Sequence, residues 1–287
     1  MRYTRRARQE IYIALFFLVP SLLGFAIFYL IPFVESIGTS FQSSSGGFSL
    51  EQYGAVLGSS SFRKAAGNTI WFTATAVPLI VALSLLIAMW LNQKVYLRNA
   101  LRTTYVLPLV VPVASIVLLW QITFDWNGAL NSVLSYFGVE RIDWMKSNWS
   151  GTVVILMYIW KNLGYNVILF LAGLQNIPTS YYETADLEGA GKVKQFFGIT
   201  LVYLIPTTFL VILMSILNSF KVFRETYLLA GNYPHERIYF LQHYMNNMFV
   251  SLDMEKLSAA AVIMAIGILC IVGILFQVER RFRSFME

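Results

Sequence analysis

Six long apolar runs, separated by shorter polar segments, set the pattern of the chain. They lie at residues 11–31, 69–91, 105–124, 152–173, 199–217 and 257–277. A run of roughly 18 or more apolar residues is long enough to cross a bilayer as a helix. Backbone inside lipid must satisfy its own hydrogen bonds, so each run is predicted to be helical. The expected fold is all-α and integral to the membrane, with six transmembrane helices in a single domain over residues 1–287. Pro78, Pro108 and Pro112 fall inside predicted spans and predict kinks. Residues 48–64 read as a small interfacial helix anchored by Tyr53, Leu57 and Phe62.

Composition supports the same class: 57% of residues are hydrophobic, 13% are charged, and the mean hydropathy is +0.62. Twelve Lys and Arg lie in the terminal and connecting segments on one side, including Arg5, Arg8, Arg98, Arg102, Lys192 and Arg281, against eight on the other. The basic side is expected to be cytoplasmic, which places both termini on the cytoplasmic side of the cell membrane. The basic residues flank spans, so membrane lipid, not nucleic acid, is the partner they imply. Trp126, Trp144 and Trp149, in an outer segment, read as an interfacial belt. Cys270 is the single cysteine, which leaves no disulfide framework or metal site. The first run exceeds the 7–15-residue core of a signal peptide and is read as retained.

One stretch departs from the apolar pattern. Residues 181–206, YYETADLEGAGKVKQFFGITLVYLIP, carry Glu183, Asp186, Glu188, Lys192 and Lys194 between two spans. Ser180 with Glu183 three residues later reads as a capped helix start. That helix is expected to stop near Gly189, where glycine permits a turn. A second short helix over 192–197 leads into the fifth span. Small residues at the turn and charges on either side suit a docking knob. The run resembles the EAA loop of ABC importer permeases: E-A-A, two spacers, D-G-A, eight spacers, I-x-L-P. It matches at Glu183, Ala185, Gly189, Ala190, Ile199 and Leu201, and departs at Thr184, Glu188 and Val202.

The resemblance covers nearly the whole chain and is closest to the carbohydrate-uptake branch of the maltose and multiple-sugar type. It implies that residues 179–198 form a cytoplasmic coupling loop between helices 4 and 5. Glu183, Ala185, Asp186, Glu188, Gly189 and Ala190 would then meet a separate ATPase. It also implies a heterodimer with a second homologous permease, two ATPase subunits that carry ATP and Mg, and an extracytoplasmic solute-binding protein. A carbohydrate, expected to be an oligosaccharide, would cross. This chain would bind no cofactor of its own.

The remaining chemistry agrees with a transport role. Gly191-Lys192 is not a phosphate loop, because Asp186 and Val193 stand where Gly and Ser or Thr are needed. His235 and His243 have no partners for catalysis, and no catalytic or metal residue is expected. No Asp or Glu falls inside the six predicted spans, which speaks against a gradient-driven carrier. A permease for a polyol or glycerol phosphate remains the nearer alternative. Lys161 is the one charge inside a span, next to Trp160 and Asn162. Ser215, Asn218 and Ser219 fall at i, i+3 and i+4 on the fifth helix. These six residues offer hydroxyl partners and an aromatic face, and the resemblance places the substrate on these two helices. The competing reading makes Lys161 snorkel outward and the polar stripe bind helix to helix.

Overall fold

The computed structural model describes residues 5–43, 47–93, 104–105 and 107–283. Lys94, Arg98 and Arg102, part of the charge count that sets the expected orientation, lie outside them. The described residues are overwhelmingly helical, with one isolated antiparallel bridge between Gln42 and Phe48. The helices are α1 (Arg5–Phe25), α2 (Ile31–Ser40), α3 (Glu51–Gly58), α4 (Ser60–Asn92), α5 (Val113–Phe124), α6 (Ala129–Tyr136), α7 (Ser150–Gln175), α8 (Thr179–Leu187), α9 (Lys192–Gln195), α10 (Ile205–Ser219), α11 (Phe223–Ala230), α12 (Leu241–Val250) and α13 (Met254–Arg283).

Among the described residues, five segments are long and apolar enough to cross a membrane: Tyr12–Ser40, Ser60–Asn92, Ser150–Gln175, Ile205–Ala230 and Met254–Phe282. The predicted span at 105–124 is interrupted. Pro112 has an extended backbone (φ −56°, ψ 140°), and α5 starts only at Val113. Proline has no N–H for the helix ladder and steers the residue before it away from helical angles. The expected interfacial helix at 48–64 is also corrected. Ser59 is extended and ends α3, and Arg63 and Lys64 belong to α4. At 33 residues and 1.5 Å per residue, α4 runs about 50 Å, longer than the roughly 30 Å hydrocarbon layer, so charged ends can project from it.

The chain forms two compact units. The first comprises residues 1–59 and 248–266, and the second residues 60–247 and 267–287. In the first unit, the rings of Phe41 and Phe48 stack at 5.0 Å across the isolated bridge, and Ser40 hydrogen-bonds Tyr53 at 2.7 Å.

The second unit is built on α4 against α7. Phe72, Ala76 and Ile80 pack with Val154, Ile155 and Tyr158 at one level. Ala88 and Leu91 pack with Val167, Phe170 and Leu171 at the next, where Leu204 and Val211 join them. Gly164 on α7 is required by a close approach: a Cβ there would sit 1.7 Å from the Tyr105 carbonyl oxygen. The segment after α5 is organised by buried Asn131. Its amide donates to the carbonyls of Asp125, Trp126 and Ile142, and its oxygen accepts from Ile142 N–H and Trp144 Nε1. Trp144 is therefore held by packing and a hydrogen bond, while Trp126 and Trp149 are half exposed.

Candidate functional site

The stretch singled out from sequence folds as an exposed helical turn. Pro178 takes the cap position with an extended backbone, so α8 begins at Thr179 and Ser180 lies in its first turn. The expected cap at Ser180 is thus corrected: proline, with φ fixed and no N–H to lose, starts the helix two residues earlier. The stop is at Gly189, whose φ is +74°. Ala190 N–H reaches the Ala185 carbonyl at 2.9 Å and Gly189 N–H reaches that of Asp186 at 3.1 Å. This bond pair closes a helix on a left-handed residue. Nothing lies within 4 Å of a Cβ built at Gly189 or Gly191. Glu183 and Glu188 are exposed, Ala185 and Ala190 half-buried, and Leu187 is 90% exposed.

Three side chains fix the turn. Buried Gln195 donates through Nε2 to Asp186 Oδ1 at 2.5 Å and to the Ala190 carbonyl at 2.8 Å. Lys192 Nζ lies 3.2 Å from Asp186 Oδ1. The Gln195 hydrogen bond, then Lys192, hold the Asp186 carboxyl below its usual range. At the other end of α8, Tyr182 Oη pairs with Thr200 Oγ1 at 2.8 Å, on the π-helical turn Phe196–Thr200 where the predicted fifth span begins. Gln195 carries no pattern in the sequence that marks it out; only its burial against Asp186 does.

The second cluster lies midway along α7. Tyr158, Lys161 and Asn162 face the end of α10 and the start of α11, where Asn218, Lys221, Arg224 and Glu225 line a cavity of about 210 Å³ with them. Lys161 Nζ is ion-paired with Glu225 Oε1; the side chains are 23% and 5% exposed. Glu225 belongs to the apolar segment Ile205–Ala230. The expectation that no acidic residue enters a span is therefore corrected. α10 continues past residue 217, where the predicted fifth span ends, through a 3-10 turn, Phe220–Val222, into α11.

The six predicted path residues divide. Lys161, Asn162 and Asn218 line the cavity. Ser215 and Ser219 are buried between helices: Asn166 Nδ2 donates to Ser215 Oγ at 2.9 Å, Tyr158 Oη donates to the Ser215 carbonyl at 2.6 Å, and Ser219 Oγ meets Thr73 Oγ1 at 2.8 Å. Trp160 is 40% exposed, outside the cavity lining, with its ring 6.3 Å from that of Trp120. Sequence reading missed Glu225, Lys221 and Arg224, although Asn218, Lys221, Val222 and Glu225 repeat at helical spacing.

The profile of the family described as "binding-protein-dependent transport system inner membrane component" matches residues 80–284. The chain belongs to this family. As a permease it is 30% identical over 281 residues to the sulfoquinovosyl glycerol transport system permease protein of Agrobacterium fabrum, with 93% of this chain and 90% of that one covered. It is 32% identical over 238 residues to the arabinooligosaccharides transport system permease protein of Bacillus subtilis, covering 80% and 74%. The permease also shares its fold with a chain of a bacterial alginate ABC transporter solved in complex with an alginate pentasaccharide-bound periplasmic protein. That match has a TM-score of 0.84 at 22% identity, over 95% and 96% of the chains.

Proposed function

We propose that this permease is one half of the translocation path of an ATP-driven importer for an oligosaccharide. A second homologous permease completes the path. Two ATPase subunits, carrying ATP and Mg, dock on α8, and an extracytoplasmic binding protein delivers the solute. Both termini lie in the cytoplasm. The saccharide class is supported by the relatives, whose names specify arabinooligosaccharides and sulfoquinovosyl glycerol. The observation that carries the coupling role is the exposed, glycine-stopped α8, tied by Tyr182 and Asp186 to the segment that enters the fifth span.

In this mechanism, closure of the ATPases moves α8, and the bonded turn passes the motion to α10 and the cavity. The two states must bind the partners with different free energies, or ATP could not shift the balance between them. A gradient-driven carrier is no longer disfavoured by missing carboxylates, given Glu225. Membership in a binding-protein-dependent family is what favours the ATP-driven reading.

Gly189→Trp tests the proposal. A non-glycine residue at positive φ costs roughly 1–2 kcal/mol, and the indole would crowd an open docking face. The variant is expected to insert and to co-purify with its partner permease while ATP hydrolysis no longer drives uptake. Normal uptake would overturn the coupling role. A reporter fused after Glu287 should be active only in the cytoplasm.

A further inference from the structure

The cavity on α7 carries a charge balance that a neutral sugar does not need. Its lining includes three cations, Lys161, Lys221 and Arg224, and one anion, Glu225. Glu225 is taken up by Lys161. Lys221 and Arg224 form no ion pair with any described residue. Two cationic heads are thus left at a concavity of about 210 Å³, beside the amides of Asn162 and Asn218. Low-dielectric walls around such a concavity strengthen and focus its field.

We infer that this cavity is an anion-selective point on the path, and that the solute is an acidic saccharide, bearing a carboxylate or sulfonate on its sugar ring. The inference rests on the saccharide reading of the permease and narrows it. Lys221 and Arg224 contact the acidic group, Arg224 by its planar fork and Lys221 as a point charge. Asn162 and Asn218 take sugar hydroxyls. Lys161 serves differently. Its charge balances Glu225, so the carboxylate does not repel the incoming anion. The arrangement explains why, among the described residues, the only acidic one lining the cavity is the one already paired.

The test uses the complete transporter in proteoliposomes and in detergent. Binding of three probes is measured without the binding protein: trigalacturonate, the same trisaccharide with its carboxyls reduced, and glycerol 3-phosphate. Trigalacturonate should bind most tightly, and its binding should fall as ionic strength rises. Lys221→Gln and Arg224→Gln should each weaken it roughly tenfold or more, the loss of one charge-assisted hydrogen bond, while Arg224→Lys should recover only part of the affinity, because a point charge replaces the fork. Both positions are exposed, so co-purification with the partner subunits should be unchanged. Equal binding of the reduced trisaccharide overturns the anion preference and leaves saccharide import standing. Tighter binding of glycerol 3-phosphate than of either saccharide overturns both. Trigalacturonate binding that is absent, or unmoved by the two Gln substitutions, overturns the assignment of these residues.

Discussion

Lys161 on α7 and Glu225 on α11, 64 positions apart, close an ion pair at the level where α7 is about 16 Å from one end and 21 Å from the other. The lysine is therefore compensated from within the protein. Removing one member of a buried pair strands the other charge, at a cost of about 3–5 kcal/mol when burial is complete. Lys161→Met should destabilise the purified complex by somewhat less, because Lys161 is 23% exposed. The double variant Lys161→Met/Glu225→Met should recover much of the loss. Thermal unfolding of the three proteins checks this, and a double variant no better than Lys161→Met would show that the pair is not the source.

Among the glycines of α7, Gly164 has the tightest surroundings, since an added Cβ would lie 1.7 Å from the Tyr105 carbonyl oxygen. Gly164→Ala should cost about 1–3 kcal/mol, as overpacking does in a tight core. Gly67→Ala, on α4 with open space around it, should be neutral or slightly stabilising by helix propensity. The melting temperature should fall for Gly164→Ala and stay level or rise for Gly67→Ala.

Asp186 gives the loop a defined pH response. Its carboxyl titrates below the ordinary value, near 3.9 for an unperturbed aspartate, because Gln195 and Lys192 favour the charged form. The contribution of this contact is then fully present above that value and is lost as pH falls through the lowered one. Hydrogen exchange at Ala190 and Gln195 should stay slow across the neutral range and rise only in strong acid. Asp186→Asn should remove the acid-induced rise.

Asn218 and Ser215, on one helix, should fail in different ways. Asn218 lines the cavity, so Asn218→Ala should reduce uptake with assembly intact. Ser215 Oγ accepts from buried Asn166. Ser215→Ala should leave that amide without its partner, at about 1–3 kcal/mol, and lower complex yield before transport kinetics change. Co-purification and uptake kinetics, measured together, separate the two.

What the sequence disclosed follows from the range of the physics involved. The stop at Gly189 was legible because a left-handed turn is a local demand on one residue. The start of α8 was misplaced by two residues, since Ser180 with Glu183 imitates a cap that Pro178 already supplies. The predicted fifth span stops at residue 217, short of Glu225, because hydropathy falls there although the helix continues. Extending the 215, 218, 219 stripe through 222 to 225 would have exposed the partner that Lys161 requires. The approach of Tyr105 to Gly164 has no local signal, as it joins segments far apart in the chain.

The two ends of α8 are anchored differently, and the difference has mechanical meaning. Tyr182 is pinned to Thr200 and Asp186 to Gln195, while Leu187 between the second anchor and the glycine stop stands free. A helix restrained at two points on one side cannot roll about its axis when loaded at a third. If an ATPase docks on α8 as proposed, force applied at Leu187 would be delivered as a displacement of the Lys192–Thr200 segment, with little lost to bending of the loop. The stroke that reached α10 would then be set by the stiffness of those two clasps.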